Sequence, residues 1–337
     1  MIKNIVILIA VILFNAMISM AYAGTDLIGC QKDCRKTITW TGCGISKKGF
    51  MKELASTYGK QNKITFALSG GGATKGIRDV VKGDAHMGGT CRLPLRGAGA
   101  ILEGETEGVE QEKDSLLIPM AWDALVVITH KDNPINGMSA KELKKILTGE
   151  ITDWSELRNN EGKKGKFNLY IRPGRISGVG RTLRQTLFDN TREKFSKSGI
   201  VKKSSGVIEK AVEKDINGIA VTGFSSANKR AGLKLLSLNG HESTMRNLST
   251  GKYPIYRLLI LTLMKESLQD PDIAAFVKYA RGSKATKIIK KVGTLPFSEG
   301  LGLSSKFKDA YLIEIFDLEA NGRYNPSKYD LEKLSAQ

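Results

Sequence analysis

Between two β-prone runs of this chain lies a cluster of glycines, and there the backbone itself offers chemistry. Residues 64–95 read ITFALSGGGATKGIRDVVKGDAHMGGTCRLPL. Ile64 to Leu68 is a short β-prone run and Ser69 to Gly72 allows a tight turn. Ile77, Val80 and Val81 then recur at helical spacing before Ala85 to Thr90 returns as a second strand. A strand–loop–helix junction of this kind aims free N–H groups into its loop, where the helix dipole adds positive potential, so its natural guest is a small anion. The competing reading is a plain turn. Gly70, Gly71 and Gly72, followed by Thr74, fit neither the G-x-x-x-x-G-K-[ST] phosphate loop nor the G-x-G-x-x-G dinucleotide loop.

A tetrahedral oxyanion asks for many fixed N–H and O–H donors and one or two guanidiniums, because hydrogen bonds to ionised groups are the strong ones. Arg172 stands at the end of an expected strand and just before a glycine-containing loop. Its planar fork can grip two oxygens at once; the bland alternative is a surface salt bridge. Four cysteines, Cys30, Cys34, Cys43 and Cys91, would pair in an exported chain as two disulfides, for which three connectivities exist. Their spacing has no zinc pattern and there is no C-x-x-C-H haem site, so neither metal nor cofactor is expected. His86, His130 and His241 are far apart in unlike contexts and compose no Ser-His-Asp order, so a binding protein rather than an enzyme is expected.

The elements that must position these groups alternate in type. Helical periodicity covers 46–58, 74–82, 139–147, 178–188, 206–213 and 271–292, the last with a break near Gly282. Strands are expected at Thr37, Ile64, Ala85, Leu125, Phe167, Ile219, Leu233 and Ile255, which makes an α/β chain. Ser139 with Glu142 makes a capping box, and Pro271 suits a first helical turn. The acidic run 103–114 and residues 158–166 read as surface loops.

Lys3, the apolar run from Ile5 to Met20 and then Ala21-Tyr22-Ala23 have the regions of a secretory signal peptide, with cleavage after Ala23. The rival is a lipoprotein, because Leu27-Ile28-Gly29-Cys30 fits a lipid-attachment box; the third option is a retained anchor, since the run approaches the spanning minimum of about 17 residues. A formal charge of +18 steers small anions inward and could hold the protein against an anionic envelope. Nucleic acid is not expected, because the basic residues are scattered and no helix-turn-helix, zinc finger or stacking motif is present.

Four segments in register resemble the periplasmic phosphate-binding proteins that feed ABC-type phosphate transporters. They are residues 37–58 (TITWTGCGISKKGFMKELASTY), the glycine loop with GDAHMGGTCRLP, residues 122–154 ending in LTGEITDW, and residues 172–188 (RPGRISGVGRTLRQTLF). Weaker echoes are NGIAVTG, YPIYRLLILT and GTLPFS. The resemblance implies a type II periplasmic-binding-protein fold: two lobes, each a mixed sheet flanked by helices, joined by two hinge crossovers. Lobe 1 would be 37–122 plus 258–300 and lobe 2 123–257, with 1–23 a signal peptide, 24–36 a linker and 301–337 an extension without counterpart. It also implies a receptor that captures inorganic phosphate, or a similar oxyanion, in the periplasm or at the cell surface and delivers it to a transporter permease.

Carried over residue by residue, the resemblance assigns ligand contacts to Gly44, Ile45 and Ser46, to Gly70, Gly71, Gly72 and Thr74, to Arg172, and to Ser177, Gly178 and Val179. Two departures stand out. Val179 replaces the usual threonine, and Cys91 stands where many relatives carry aspartate or serine, a poor acceptor where a carboxylate would take the proton of hydrogen phosphate. Arg92 makes that neighbourhood more cationic, and Asp123 could supply an acceptor or pair with an arginine. Two alternatives follow: a thiophilic oxyanion such as arsenite, or a redox-gated sensor, using Cys43 and Cys91, and a surface component whose basic face binds an acidic polymer.

Overall fold

A computed structural model describes residues 24–95, 106–112 and 114–306; the leader expected at 1–23 and the tail beyond 306 lie outside the described residues. The chain alternates strand and helix as its periodicity predicts. β1 (Asp26–Gly29) and β2 (Lys36–Gly42) lead into a helical stretch that starts as α1 (Gly44–Ser46), loosens to a π turn over Lys47–Met51 and ends as α2 (Lys52–Asn62). β3 (Ile64–Gly70), α3 (Ala73–Val81) and β4 (Met87–Thr90) follow, then α4 (Thr106–Glu110) and the 15-residue β5 (Leu116–His130). After β6 (Gly137–Met138) come α5 (Ala140–Thr148), β7 (Asn168–Ile171), α6 (Gly178–Leu183) with a π continuation over Arg184–Phe188, β8 (Ile200–Val201), α7 (Ser205–Val212) and β9 (Gly218–Gly223). The last part holds α8 (Phe224–Ala227), β10 (Leu233–Leu235), β11 (Ser237–Leu238), α9 (Met245–Ser249), β12 (Tyr256–Leu263), α10 (Pro271–Arg281), α11 (Ser283–Lys291) and β13 (Leu295–Pro296).

Ser139 caps α5 with Glu142 reaching back, the reciprocal box expected from the sequence, and Pro271 opens α10. The strands run β1-β3-β2-β4-β12-β5-β9-β7-β8, a large mixed sheet flanked by helices. β2 is parallel to β3 and β4, whereas β12 lies antiparallel to β4 and β5. The N-terminal part of β5 pairs with β12 and its C-terminal part with β9 and β10, so one strand serves both ends of the sheet. Pro119, which cannot donate to a ladder, sits beside the register shift between Leu259 and Ile260, where a missing donor is tolerated.

Two hydrophobic cores lie along this sheet. One gathers Ile38, Trp40, Phe50, Leu54, Phe66, Leu261 and Phe276; the other gathers Val126, Ile128, Leu143, Trp154, Leu169, Leu183 and Ile219. Burying large aliphatic and aromatic side chains at about 1.5–3 kcal/mol each is what stabilises both.

Several expectations are corrected. Residues 24–36 are no free linker: β1 pairs antiparallel with β3, and Cys30 and Cys34 close a disulfide just after it. The four cysteines do not make two disulfides, because Cys43 and Cys91 are free. Leu295 and Phe297, expected with lobe 1, pack in the second core, since β13 pairs with β5 and Phe297 stacks on Trp122 at 5.7 Å. Within the acidic run read as a surface loop, Glu112 is wholly buried, because two arginines are folded onto it.

Candidate functional site

The C-terminal ends of β2 and β4 lie side by side, with Gly42 opposite Gly89, and the next residues of each carry sulfur. Cys43 donates its N–H to the Gly89 carbonyl at 2.8 Å, and its own carbonyl accepts from Lys47 as the helical stretch begins. Ser46 ties the two loops together: its hydroxyl, completely buried, donates to the Thr90 carbonyl at 3.0 Å. The thiols of Cys43 and Cys91 lie close enough to act on each other's ionisation, and the Ile45 and Ser46 N–H groups act on the Cys43 sulfur. The donors of α1 that the sequence assigned to a ligand therefore already face a resident sulfur.

Charge collects around this pair. Arg257, the second residue of the apolar strand β12, is 1% exposed; its Nη2 donates to Asp123 Oδ2 at 3.2 Å, while Nε and Nη1 have no hydrogen-bond partner among the described residues. Asp123 Oδ1 accepts the Ser225 N–H at 2.9 Å, so both its oxygens are engaged. Burial pushes the Cys43 thiol up, but the Cys91 hydrogen bond, the Arg257 charge and the two N–H groups outweigh it and bring the value down to about 6. The hydrogen bond to Cys43 and then burial hold Cys91 well above the ordinary thiol range. Burial also raises Asp123, against the pull of Arg257 and Ser225.

Arg172 reaches the same place from the other core. It follows β7, its Nη1 donates to the Lys202 carbonyl at 3.0 Å, and both thiols act on its charge. Burial alone holds its guanidinium below the ordinary value. The glycine loop meets it: a Cβ built on Gly72 would lie 3.8 Å from Arg172 Nη2. Gly72 adopts φ +94°, a conformation that side chains resist, and so caps α3 with backbone alone. The third arrival is Gly178. A Cβ there would fall 2.3 Å from the Cys91 sulfur and 3.3 Å from the Ala73 Cβ, so the start of α6 rests against the first core through a hydrogen atom.

Arg172, Gly72, Gly178 and Cys91 are thus brought together from loops distant in sequence. Gly44 and Gly70 border open space, with nothing within 4 Å of an added Cβ. Others are occupied elsewhere. Ser177 accepts the Gly180 N–H at 3.3 Å and caps its own helix; the Val179 side chain lies in the second core, leaving only its backbone. Thr74 accepts from Arg92 Nη2 at 3.0 Å instead of facing the loop. Arg92 does not add net charge: it grips Glu112 through both terminal nitrogens at 2.7 and 2.8 Å and donates Nε to the Ile176 carbonyl at 2.8 Å, tying the two cores. Burial pushes Glu112 up, yet the Arg92 hydrogen bonds and charge leave its carboxyl below the ordinary range.

Sequence reasoning missed Arg257 and Glu112. Arg257 had a signal, a lone charge within the apolar run YPIYRLLILT, which is costly to bury unless it is paired. Glu112 had none, lying among acidic residues of a polar run. No cluster of three or more potential metal ligands occurs among the described residues.

Comparison with known proteins follows the same lines. A family profile described as a PBP superfamily domain matches residues 35–282. The chain is 26% identical over 275 residues to the phosphate-binding protein PstS of Borreliella burgdorferi, covering 80% of this chain and 93% of that one. It is 24% identical over 301 residues to the protein SphX of Synechococcus elongatus, covering 83% and 84%. The structure of a putative phosphate ABC transporter substrate-binding protein with bound phosphate from Clostridium perfringens superposes with a TM-score of 0.66 at 20% identity, covering 77% of this chain and 99% of that one. At that identity the likeness is one of fold.

Proposed function

Because this chain belongs to the PBP superfamily, whose domain spans residues 35–282, we propose that it is an exported receptor for inorganic phosphate, or a closely similar tetrahedral oxyanion. It holds the ion between two lobes and delivers it to an ABC transporter permease. The phosphate-binding name of the relative in Borreliella burgdorferi supports the ligand. The observation that carries the reading is convergence: a guanidinium from one core, Arg172, meets a glycine turn and a helix start from the other, Gly72 and α3, with Gly178 closing the third side. That is the donor set a small dianion needs, and it performs no chemistry.

The lobes we propose are 37–122 plus 258–292, and 123–257 with residues 295–297 packed on its core. Asp123 lies opposite Arg257 in the β5–β12 ladder, and this buried pair, at the crossing between the lobes, is the hinge about which they close. Removal of the leader, with the product in the periplasm or at the cell surface, is favoured over lipid attachment because the Cys30 sulfur is committed to Cys34.

Calorimetry with phosphate and sulfate tests this reading on the wild type and Arg172→Ala. Loss of a charged hydrogen bond costs about 1.5–3 kcal/mol, or roughly 10- to 150-fold in affinity. Unaltered phosphate binding in Arg172→Ala would refute the site. A second reading, a thiophilic oxyanion such as arsenite, is favoured by the two free thiols. Arsenite binding that vanishes in Cys43→Ser, with no heat from phosphate, would select it.

A further inference from the structure

The two sulfurs in the wall of the cleft are unlike the disulfide near the N-terminus. Cys43 and Cys91 are free, 5% and 2% exposed, and directly follow the ends of adjacent parallel strands. With Gly42 opposite Gly89, Cys43 falls beside Thr90 and Cys91 one residue farther on; at a strand spacing of about 4.8 Å and a rise of about 3.3 Å that diagonal is about 5.8 Å, within the Cα span a disulfide bridges. Arg257 presses two unpartnered buried nitrogens into the same space, and its nearest compensating charges besides Asp123 are these sulfurs. A guanidinium with Nε and Nη1 unpartnered among the described residues, together with the nearby Ile45 and Ser46 N–H groups, makes a local field that favours a sulfur anion.

We infer that Cys43 and Cys91 are a thiol–disulfide exchange couple built into the ligand cleft, Cys43 the attacking sulfur and Cys91 the resolving one. The oxidant is an external disulfide, R–S–S–R. The Cys43 thiolate attacks one of its sulfurs, forming a mixed disulfide and expelling one R–S⁻. Cys91 then gives up its proton and attacks the Cys43 sulfur, closing Cys43–Cys91 and expelling the second R–S⁻. Two protein thiols are oxidised, one external disulfide is reduced, and the two protons end on two R–SH. The chain is arranged for the second step. What holds the Cys91 proton most firmly is its bond to the Cys43 sulfur, and that anion vanishes when the mixed disulfide forms, leaving Arg257 to draw Cys91 toward ionisation.

Access requires the lobes to part, because Gly178 covers the Cys91 sulfur. Closing the disulfide also removes a resident anion. The Ile45 and Ser46 N–H groups and Arg257 lose the charge that occupies them, so the oxidised protein holds an oxyanion more tightly. This second consequence rests on the phosphate reading; the exchange step does not.

Reduced protein is incubated with oxidised glutathione, alkylated and digested without reduction for mass spectrometry. A Cys43–Cys91 cross-linked peptide is expected in the wild type, a stable glutathione adduct on Cys43 in Cys91→Ser, and an unmodified Cys91 in Cys43→Ser. Wild-type protein whose two thiols both remain alkylatable, or whose adduct stays on Cys91, overturns the couple. Phosphate calorimetry on reduced and oxidised wild type then reads the linkage: a tenfold or greater gain on oxidation supports the resident-anion account and equal affinities overturn it. Absence of phosphate binding in both states, with the cross-link formed, defeats the phosphate reading and leaves the exchange couple standing.

Discussion

Substituting Gly178 by alanine tests how the two halves meet. The glycine is the first residue of α6, and its backbone is one that alanine adopts without strain, so helix propensity favours the change by up to about 1 kcal/mol. The obstacle is tertiary. The new Cβ would stand 2.3 Å from the Cys91 sulfur, about 1 Å inside ordinary contact, whereas its approach to the Ala73 Cβ at 3.3 Å is nearly tolerable. Overpacking of this size costs about 1–3 kcal/mol, and only the arrangement in which α6 rests on Cys91 bears it. If the ligand-free protein parts its lobes about the proposed hinge, its Tm should hardly move. Phosphate affinity, which on the proposed hinge reading requires closure, should fall roughly 5- to 150-fold by calorimetry. Cys91→Ala removes the obstructing sulfur, and on that background Gly178→Ala should lose little, giving a coupling of the same size in a double-mutant cycle. Gly178→Ala protein that binds phosphate like the wild type, or a loss that persists without the sulfur, would refute the contact and the closure built on it.

Glu112→Gln strands the buried Arg92 without a counter-charge, which should cost roughly 3–5 kcal/mol and lower Tm by about 6–20 °C in a calorimetric scan. Since the Glu112 carboxyl is held below its ordinary value in the folded state, its contribution is present at neutral pH and lost as pH falls into the acid range; urea midpoints of wild type and Glu112→Gln should converge there. The Cys43 thiol is likewise depressed on folding, so it stabilises above the ordinary thiol range and loses that contribution as pH falls through about 6; thiolate absorbance should rise with that midpoint and disappear in Cys43→Ser. Phosphate binding should weaken only modestly between low and moderate salt; a collapse over that range would instead favour an acidic polymer on the basic face.

Much of the scaffold was legible in the chain because it is dictated locally. The period-3.6 runs around Ile77 and Leu143 and the Ser139–Glu142 box announce helices whatever surrounds them, and α3 and α5 form where those signals stand. The strand at Leu125 was legible too, but not its 15-residue length, because a fully buried run carries no alternation to measure. At the candidate site, Arg172 and the glycine turn could be proposed from residue type and from the family resemblance, since a guanidinium and a side-chain-free turn both offer oxyanion donors. Their competitors could not: Thr74 and Ser177 carry the right hydroxyls, yet nothing local to them reveals that Arg92 and Gly180 take those hydroxyls up.

By itself, then, the sequence determined an α/β chain with an oxyanion-suited set of loops, because propensity, capping and donor type are properties of short segments. Only the tertiary structure decided that Cys30 pairs with Cys34 while Cys43 and Cys91 stay free, that Arg257 lies buried against Asp123, and that Gly178 touches the Cys91 sulfur. Those facts depend on which distant strands become neighbours, and a sulfur or a charge senses its environment over a few ångströms of space rather than along the chain.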